Sequence, residues 1–364
     1  MTESSVPIRL LDLGTVDPVR SQTIYHAVGY SMTPTSPDTI MLVSPDAPYV
    51  SIGRHQDVDR EVDRAVCADL GFPIIRREIG GGAVYLDGNQ LFTQWIFAAD
   101  HLPPTVEGRF ALYCDTLVQT YRALGIEAAY RPVNDIHVNG RKIGGTGAAR
   151  MDNAEVVVGS LMFDFDILTM SRVLKVPSEK FRDKVYQTLS EYMTTMTREL
   201  GEAPDRAPVI EAYVATCSAA LGRPIELGSL RDDELALADQ LDARFASLEW
   251  LEEGGGLRRA GVKIHEGVHV AEGATKAPGG MIRCVAVIRD DTLDDISFSG
   301  DFTARPAEMP QELAAALVGC AVVENAIQER VSDYYLRVHP ETPGVSASDW
   351  VTAILQATAT SVPA

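Results

Sequence analysis

An Asn139-Gly140 dipeptide between two short apolar runs, Ile136-His137-Val138 and Lys142-Ile143, commits this chain to at least one tight β-hairpin. Both residues tolerate positive φ, which a two-residue type I′ turn needs at its two central positions. Gly144-Gly145-Thr146-Gly147 follows at once, so the hairpin carries one lysine onto a glycine pair. Earlier in the chain, Arg76-Arg77-Glu78-Ile79-Gly80-Gly81-Gly82-Ala83-Val84-Tyr85 reads as a strand running into a turn of bare backbone. Three glycines in a row remove every Cβ, so a ligand can approach closely and several N–H groups can face one anion.

Taken alone, a triple glycine is most often a plain turn, and a lysine after Asn-Gly-Arg is ordinarily solvated. The flanking residues alter both readings. Arg76 and Arg77 fall on opposite faces of a strand, so one of them can offer a forked donor set to phosphate or carboxylate. Ala83, Val84 and Tyr85 continue as a strand able to wall an apolar pocket. Asn134 and Asp135 precede the lysine hairpin, and Asp135 could hold either Lys142 or a nucleotide. An ammonium beside a mixed anhydride stabilises the negative charge that develops as the anhydride forms or breaks. Backbone N–H groups for phosphate and one such cation are what an acyl-adenylate site requires.

Composition narrows the classes of protein available. At 364 residues and 46% hydrophobic, the chain is long enough for two domains rather than one. No apolar run reaches the length of a membrane span, and Met1 to Leu13 lacks the basic-then-apolar pattern of a secretory signal. Five cysteines (Cys67, Cys114, Cys217, Cys284, Cys320) are scattered, odd in number and without a CxxC pair. That pattern points to reduced thiols in a cytoplasmic protein rather than to disulfides or zinc. A net charge of −19 repels phosphate backbones and argues against general nucleic-acid binding.

The first half alternates strands with helices. Strands are expected at Thr39 to Val43, Tyr49 to Ile52, Pro73 to Arg77, Ala83 to Leu86, Gln90 to Ala98 and Val156 to Phe163. Gln90 to Ala98 alternates enough to predict a half-buried, antiparallel strand. Helices are expected at Arg60 to Gly71, Gly108 to Leu124 with Gly125 as a C-cap, and Ser178 to Thr197. Two more follow from about Pro208 to Leu221 and Asp232 to Phe245, before a hinge-like Glu252-Glu253-Gly254-Gly255-Gly256. Beyond it, Gly261 to Val270, Met281 to Arg289 and Thr292 to Ser299 read as a small meander. Helices near Pro310 to Leu317 and Glu324 to Arg330 come after it. The expected domains are 1–245 and 257–364, joined by a linker at 246–256. His101 and His137 read as ordinary surface or hairpin residues. His265 and His269 have helical spacing in a stretch that reads as strand, with no clear third ligand, so no zinc site is assigned there.

These motifs resemble the lipoate–protein ligase branch of the biotin and lipoate protein ligase superfamily. That branch carries an arginine-arginine-x-serine/threonine-triple-glycine motif and an asparagine-aspartate followed by a lysine-glycine hairpin. Gly53-Arg54-His55-Gln56 and Gly159-Ser160-Leu161-Met162-Phe163-Asp164 are further matches, and the resemblance spans roughly residues 20 to 200. It implies that Arg77, Gly80, Gly81, Gly82, Ala83, Val84 and Tyr85, with Asn134, Gly145 and Thr146, bind the acyl group and nucleotide. Lys142 and Asp135 are then the catalytic pair. Two departures stand out: Ile79 replaces the usual serine or threonine, and Leu86 stands where a histidine is usual.

Farther on, Lys263 to Val268, Gly273 to Ile282 and the turn Ser299-Gly300-Asp301-Phe302 resemble the accessory domain of these ligases, here fused behind the catalytic one. The implied fold is α+β, a class II synthetase-like mixed or antiparallel sheet with flanking helices plus a small α+β C-terminal domain. The implied substrates are ATP with Mg²⁺ and lipoate, the metal ligands being unassigned. The implied partner is a lipoyl carrier: an E2 lipoyl domain, a glycine-cleavage H protein or a dedicated lipoate-binding carrier. A monomer is expected, with neither nucleic acid nor membrane as a partner. Two alternatives stay open: an octanoyl or lipoyl transferase on the same fold, and a non-catalytic lipoyl-binding protein. A transferase of this fold uses a cysteine nucleophile, yet no cysteine lies between Cys114 and Cys217, and Cys114 sits in an expected core helix.

Overall fold

In the computed structural model, residues 6–253 and 268–359 are described. The chain forms two compact units. The first comprises Met1–Ser51, Val62–Arg77 and Val84–Trp250; the second comprises Ile52–Glu61, Glu78–Ala83 and Leu251–Ala364.

A six-stranded mixed sheet organises the first unit. Its order is Gly147–Met151, Ala154–Met162, Gln90–Ala98, Thr39–Pro45, Ile8–Val16 and Ile225–Leu227. Ile8–Val16 runs parallel to both neighbours, and the remaining pairs are antiparallel. Gln90–Ala98 is central and is buried at every position but the last, not on one face only as its alternation predicts. Two of its polar members are bonded instead of solvated: Thr93 to the Tyr113 hydroxyl, and Gln90 to the Asp87 N–H and the Asp164 carbonyl.

The helix Val106–Ala123 starts at Thr105, whose side chain accepts the Gly108 N–H at 3.1 Å. Phe110, Tyr113, Leu117 and Tyr121 recur at helical spacing and are all buried in the core of this unit. Each such side chain contributes roughly 1.5–3 kcal/mol on burial. Trp95 closes this core and donates its indole N–H to the Tyr213 hydroxyl at 2.9 Å. Two smaller sheets lie alongside in sequence: Ile74–Arg76, Tyr49–Ile52 and Val84–Leu86 form one, and Ala128–Arg131, Asp135–Val138 and Arg141–Gly145 the other.

Two expected helices are shorter than their periodicity predicts. Arg60 to Gly71 is split into Val58–Glu61 and Arg64–Leu70. Val62 leaves the helical path to bridge Leu174, and Asp63 then caps a fresh helix by accepting the Val66 N–H at 3.3 Å. Ser178 to Thr197 resolves into Glu179–Tyr192 and Met196–Leu200. The break comes where Met193 turns extended and bridges Lys142, and Thr194 donates its N–H to the Lys142 carbonyl at 2.9 Å.

The second unit holds an antiparallel meander, Val268–Ala277, Gly280–Arg289 and Thr292–Gly300. Its second turn is Asp290-Asp291, both at positive φ (48° and 58°), the type I′ geometry that a two-residue hairpin favours. Helices Met309–Leu317 and Ala347–Ala359 pack on this sheet, and Glu324–Val338 packs against those two helices. Trp350 is fully buried among Phe298 and Phe302. The expected hinge at Gly254-Gly255-Gly256 and the accessory-domain match at 263–267 lie outside the described residues.

Candidate active site

The expected Asn139-Gly140 hairpin is present as strands Asp135–Val138 and Arg141–Gly145. Asn139 and Gly140 adopt φ of 49° and 80°, so the turn pairs Val138 with Arg141 and His137 with Lys142. The register then slips by one residue, placing Ile136 opposite Gly144 and Asp135 opposite Gly145. This bulge has a chemical consequence. Side chains alternate along a strand, so without the slip Lys142 and Gly145 would face opposite ways. With it, Lys142 and Gly145 share a face with Asp135 and His137, while Ile136 and Ile143 enter the core.

On that face the Lys142 ammonium lies 2.6 Å from Asp135 Oδ1. Both side chains are only about a quarter exposed, 28% and 22%. Gly145 makes the arrangement possible: a Cβ there would sit 3.0 Å from Lys142 Nζ and 3.1 Å from Cε. The base of the hairpin is locked by Asn134 and Thr146. Asn134 donates its side-chain amide to the Thr146 carbonyl at 2.6 Å, and Thr146 returns its N–H to the Asn134 carbonyl at 2.9 Å. The structure therefore brings Asn134, Asp135, Lys142, Gly145 and Thr146 together.

Two further side chains complete this face: Tyr192, and His137, which is expected from sequence to be an ordinary surface or hairpin residue but is buried. Tyr192, at the end of the Glu179–Tyr192 helix, donates its hydroxyl to Asp135 Oδ2 at 3.4 Å. Burial and the adjoining Asp135 raise the Tyr192 hydroxyl above its ordinary range, so it stays a donor. His137 is 6% exposed and stacks edge-on against Tyr192, ring centroids 5.6 Å apart. The pairing rule of a two-residue turn sets residue 137 opposite 142, so the signal for His137 was present in the sequence.

Arg77 sits elsewhere in the same unit. It is part-buried and donates to Ser51 Oγ at 3.2 Å. Burial lowers it to about 10, opposed by the nearby Tyr25 and Tyr49 hydroxyls, and it remains a cation at neutral pH. Arg76 is fully buried, and its carbonyl accepts the Trp250 indole N–H at 2.8 Å. Val84 and Tyr85 pair with Ser51 and Val50. Tyr85 is buried and donates to Asp87 Oδ2 at 3.1 Å.

Gly80, Gly81, Gly82 and Ala83 belong to the second unit. A Cβ on Gly80 would lie 2.5 Å from the Phe302 carbonyl oxygen, so the Ser299-Gly300-Asp301-Phe302 turn tolerates only glycine against it. His55 stacks on Phe302 at 5.0 Å and accepts the Gly300 N–H through its carbonyl, and Arg54 donates its N–H to Ile79. Three motifs far apart in sequence thus gather in one unit. Ile79, a departure from the family pattern, is a buried residue there at 1% exposure.

All five cysteines are free and buried. Cys114 lies beneath the lysine hairpin, its Sγ 3.7 Å from Thr146 Oγ1. Burial pushes its thiol up to about 12, and Cys217 likewise to about 12. Neither is an activated thiolate.

A mixed sheet flanked by helices, with a lysine hairpin beside it, places this chain in the lipoate/biotin-protein ligase superfamily. More narrowly, residues 22–218, over half of the chain, match the Lipoyl protein ligase A/B catalytic domain, and the chain belongs to that family. It is 29% identical over 238 residues to an octanoyltransferase (LipM) of Kyrpidia tusciae, covering 59% of this chain and 86% of the relative. A solved bi-partite lipoate protein ligase from Thermoplasma acidophilum, described with its E2 lipoyl domain, is 27% identical with a TM-score of 0.63. That likeness covers 71% of this chain and all of the other. P. falciparum LipL1 in complex with lipoate shares the fold at 12% identity, with a TM-score of 0.68 over 96% of this chain and 98% of its own.

Proposed function

We propose that the protein is an ATP-dependent lipoate–protein ligase. In the first step a lipoate carboxylate oxygen attacks the α-phosphorus of ATP and pyrophosphate leaves, giving lipoyl-AMP. In the second, the ε-amine of a carrier lysine attacks the acyl carbonyl and AMP leaves, forming an amide and releasing the amine's protons to solvent. The observation that carries this reading is the Lys142 ammonium, held by Asp135 over the bare backbone of Gly145. A fixed, partly desolvated cation stabilises charge that builds on a mixed anhydride, and it needs no covalent intermediate with the protein.

Roles follow residue by residue. Lys142 and Asp135 are assigned to the chemistry. Arg77, Val84, Tyr85, Asn134, Gly145 and Thr146 of the first unit are assigned to binding the lipoyl and nucleotide groups. Gly80, Gly81, Gly82 and Ala83 of the second unit are assigned the same kind of role from their motif. Among the described residues no group of three His, Cys, Asp or Glu side chains could hold a metal ion. Mg²⁺ fits as the counter-ion carried on the ATP phosphates, a common mode for this ion, and it would supply charge neutralisation there. We assign residues 1–245 to catalysis and 257–364 to an accessory domain. The partner is a lipoyl carrier domain, in keeping with the E2 domain of the Thermoplasma system.

A second reading, octanoyl or lipoyl transfer between carriers without ATP, draws support from the octanoyltransferase relatives. It needs a nucleophile that the five buried cysteines do not provide. Mixing the full-length protein with ATP, lipoate and a lipoyl carrier domain separates the two readings by mass spectrometry. The ligase reading expects a carrier mass gain that disappears when ATP is omitted. Equal transfer from an octanoylated carrier without ATP would favour the second reading instead.

A further inference from the structure

We propose that His137 is a positioning residue that supplies Asp135 with a replacement counter-charge when Lys142 leaves it for the acyl-adenylate. The inference rests on the ligase reading above and goes beyond it.

The geometry around Asp135 is asymmetric. Oδ1 holds Lys142 at 2.6 Å, whereas Oδ2 has the Tyr192 hydroxyl at 3.4 Å and His137 Nε2 at 3.8 Å. The His137 ring is almost wholly buried, and Nε2 has no hydrogen-bond partner. Its other nitrogen, Nδ1, lies 3.2 Å from the Gly140 carbonyl oxygen. A carbonyl only accepts, so Nδ1 carries the hydrogen, and in the neutral ring Nε2 presents a lone pair. Nε2 and Asp135 Oδ2 face one another at a separation beyond hydrogen-bond length.

Adding a proton at Nε2 reverses that relation. Nε2 becomes a donor beside a carboxylate, and a movement of about one ångström gives a charge-assisted hydrogen bond. Lys142 cannot serve the adenylate fully while it stays on Asp135, and its departure would leave a part-buried carboxylate without its ion pair. Proton uptake from solvent at His137 restores one positive charge to Asp135, and Lys142 keeps its own charge as it moves. The groups facing the imidazole are few. Asp135 lies on its own strand, Lys142 opposite it, and Tyr192 on the helix packed against it; on the third strand Ala129 is its partner, and the cationic Arg131 stands opposite Asp135. Arg141 is engaged with Glu199 at 3.1 Å.

The test uses the full-length protein and follows lipoyl-AMP formation, a step without the carrier amine, from about pH 5.5 to 8.5, where histidine side chains change charge. The wild type is expected to lose rate as pH rises across this range. His137→Gln, which keeps a donor but cannot charge, is expected to be slowed about tenfold at the acidic end and to show a flat profile. An unchanged rate and profile in His137→Gln would overturn the proposal while leaving the ligase reading intact. Absence of any lipoyl-AMP from the wild type would instead overturn the ligase reading. Should the variant fail to fold, side-chain ¹⁵N NMR of the wild type decides. A non-hydrolysable lipoyl-adenylate analogue should convert the His137 imidazole from singly to doubly protonated, and an imidazole unaltered by the analogue counts against it.

Discussion

Lys142 has value here only because of the atoms around it. A lysine after a tight turn is normally free in water, whereas this one lies on a glycine, 2.6 Å from a carboxylate and about three-quarters covered. Lys142→Ala should therefore lower the rate of lipoyl-AMP formation by about 10²- to 10³-fold, with the melting temperature near that of the wild type. Gly145→Ala probes the same contact from the other side. A methyl group 3.0 Å from Nζ displaces the flexible end of the lysine rather than the backbone, so a roughly tenfold loss of rate in a folded protein is expected. Cys114 gives the opposite prediction. With its thiol pushed up to about 12 by burial, it stays protonated at neutral and mildly alkaline pH. Native protein at pH 8 should resist iodoacetamide at this position in peptide mapping, and Cys114→Ala should keep its lipoylating activity. Of these residues, Lys142, Asp135 and Gly145 were legible from the asparagine-aspartate and lysine-glycine motif around the Asn139-Gly140 turn. Tyr192 was not, because it reaches Asp135 from 57 residues away along the chain.

At the scale of elements, the bulge in the Asp135–Gly145 hairpin matters most. A slip of one residue decides whether lysine and glycine meet or part, and no periodicity in the sequence signals it. Several strands were legible within a residue or two, since their apolar runs are short and bounded by turn residues; Tyr49–Ile52 and Gln90–Ala98 match their expected limits. Ile8–Val16 and Ala128–Arg131, by contrast, were not expected, and Val268–Ala277 runs well past the expected end at Val270. Helices were less so where tertiary bridges cut them, at Val62 with Leu174 and at Met193 with Lys142. The helix Glu179–Tyr192 differs from its neighbours in another way. None of its described side chains is buried, and Phe181 and Tyr186 are 52% and 42% exposed. A helix held by so little apolar burial opens at low free-energy cost. Hydrogen exchange followed by mass spectrometry should find its amides exchanging well before those of Val106–Ala123, whose core face is fully packed. Equal protection of the two helices would contradict this.

For the whole molecule, the sheet class was legible from alternating strands and helices, while the expectation of two domains came from the hinge-like Glu252 to Gly256. The membership of the second unit was not legible. It takes Ile52–Glu61 and Glu78–Ala83 from the middle of the sequence, and what holds Glu78–Ala83 there is the close approach of Gly80 to Phe302. Contacts between residues so distant in sequence leave no local pattern to read. The family membership itself rests on residues 22–218, and its relatives include both ligases and octanoyltransferases, so the chemistry has to be decided at the site. The adenylate chemistry proposed above draws on the fixed Lys142 ammonium and on the burial of the five thiols. The most direct measurement omits the carrier altogether: full-length protein, lipoate and α-phosphate-labelled ATP, with the products separated and counted. The account predicts labelled lipoyl-AMP with one pyrophosphate released for each adenylate formed, and its loss in Lys142→Ala. No labelled adenylate from a wild-type protein that still transfers acyl groups between carriers would contradict it.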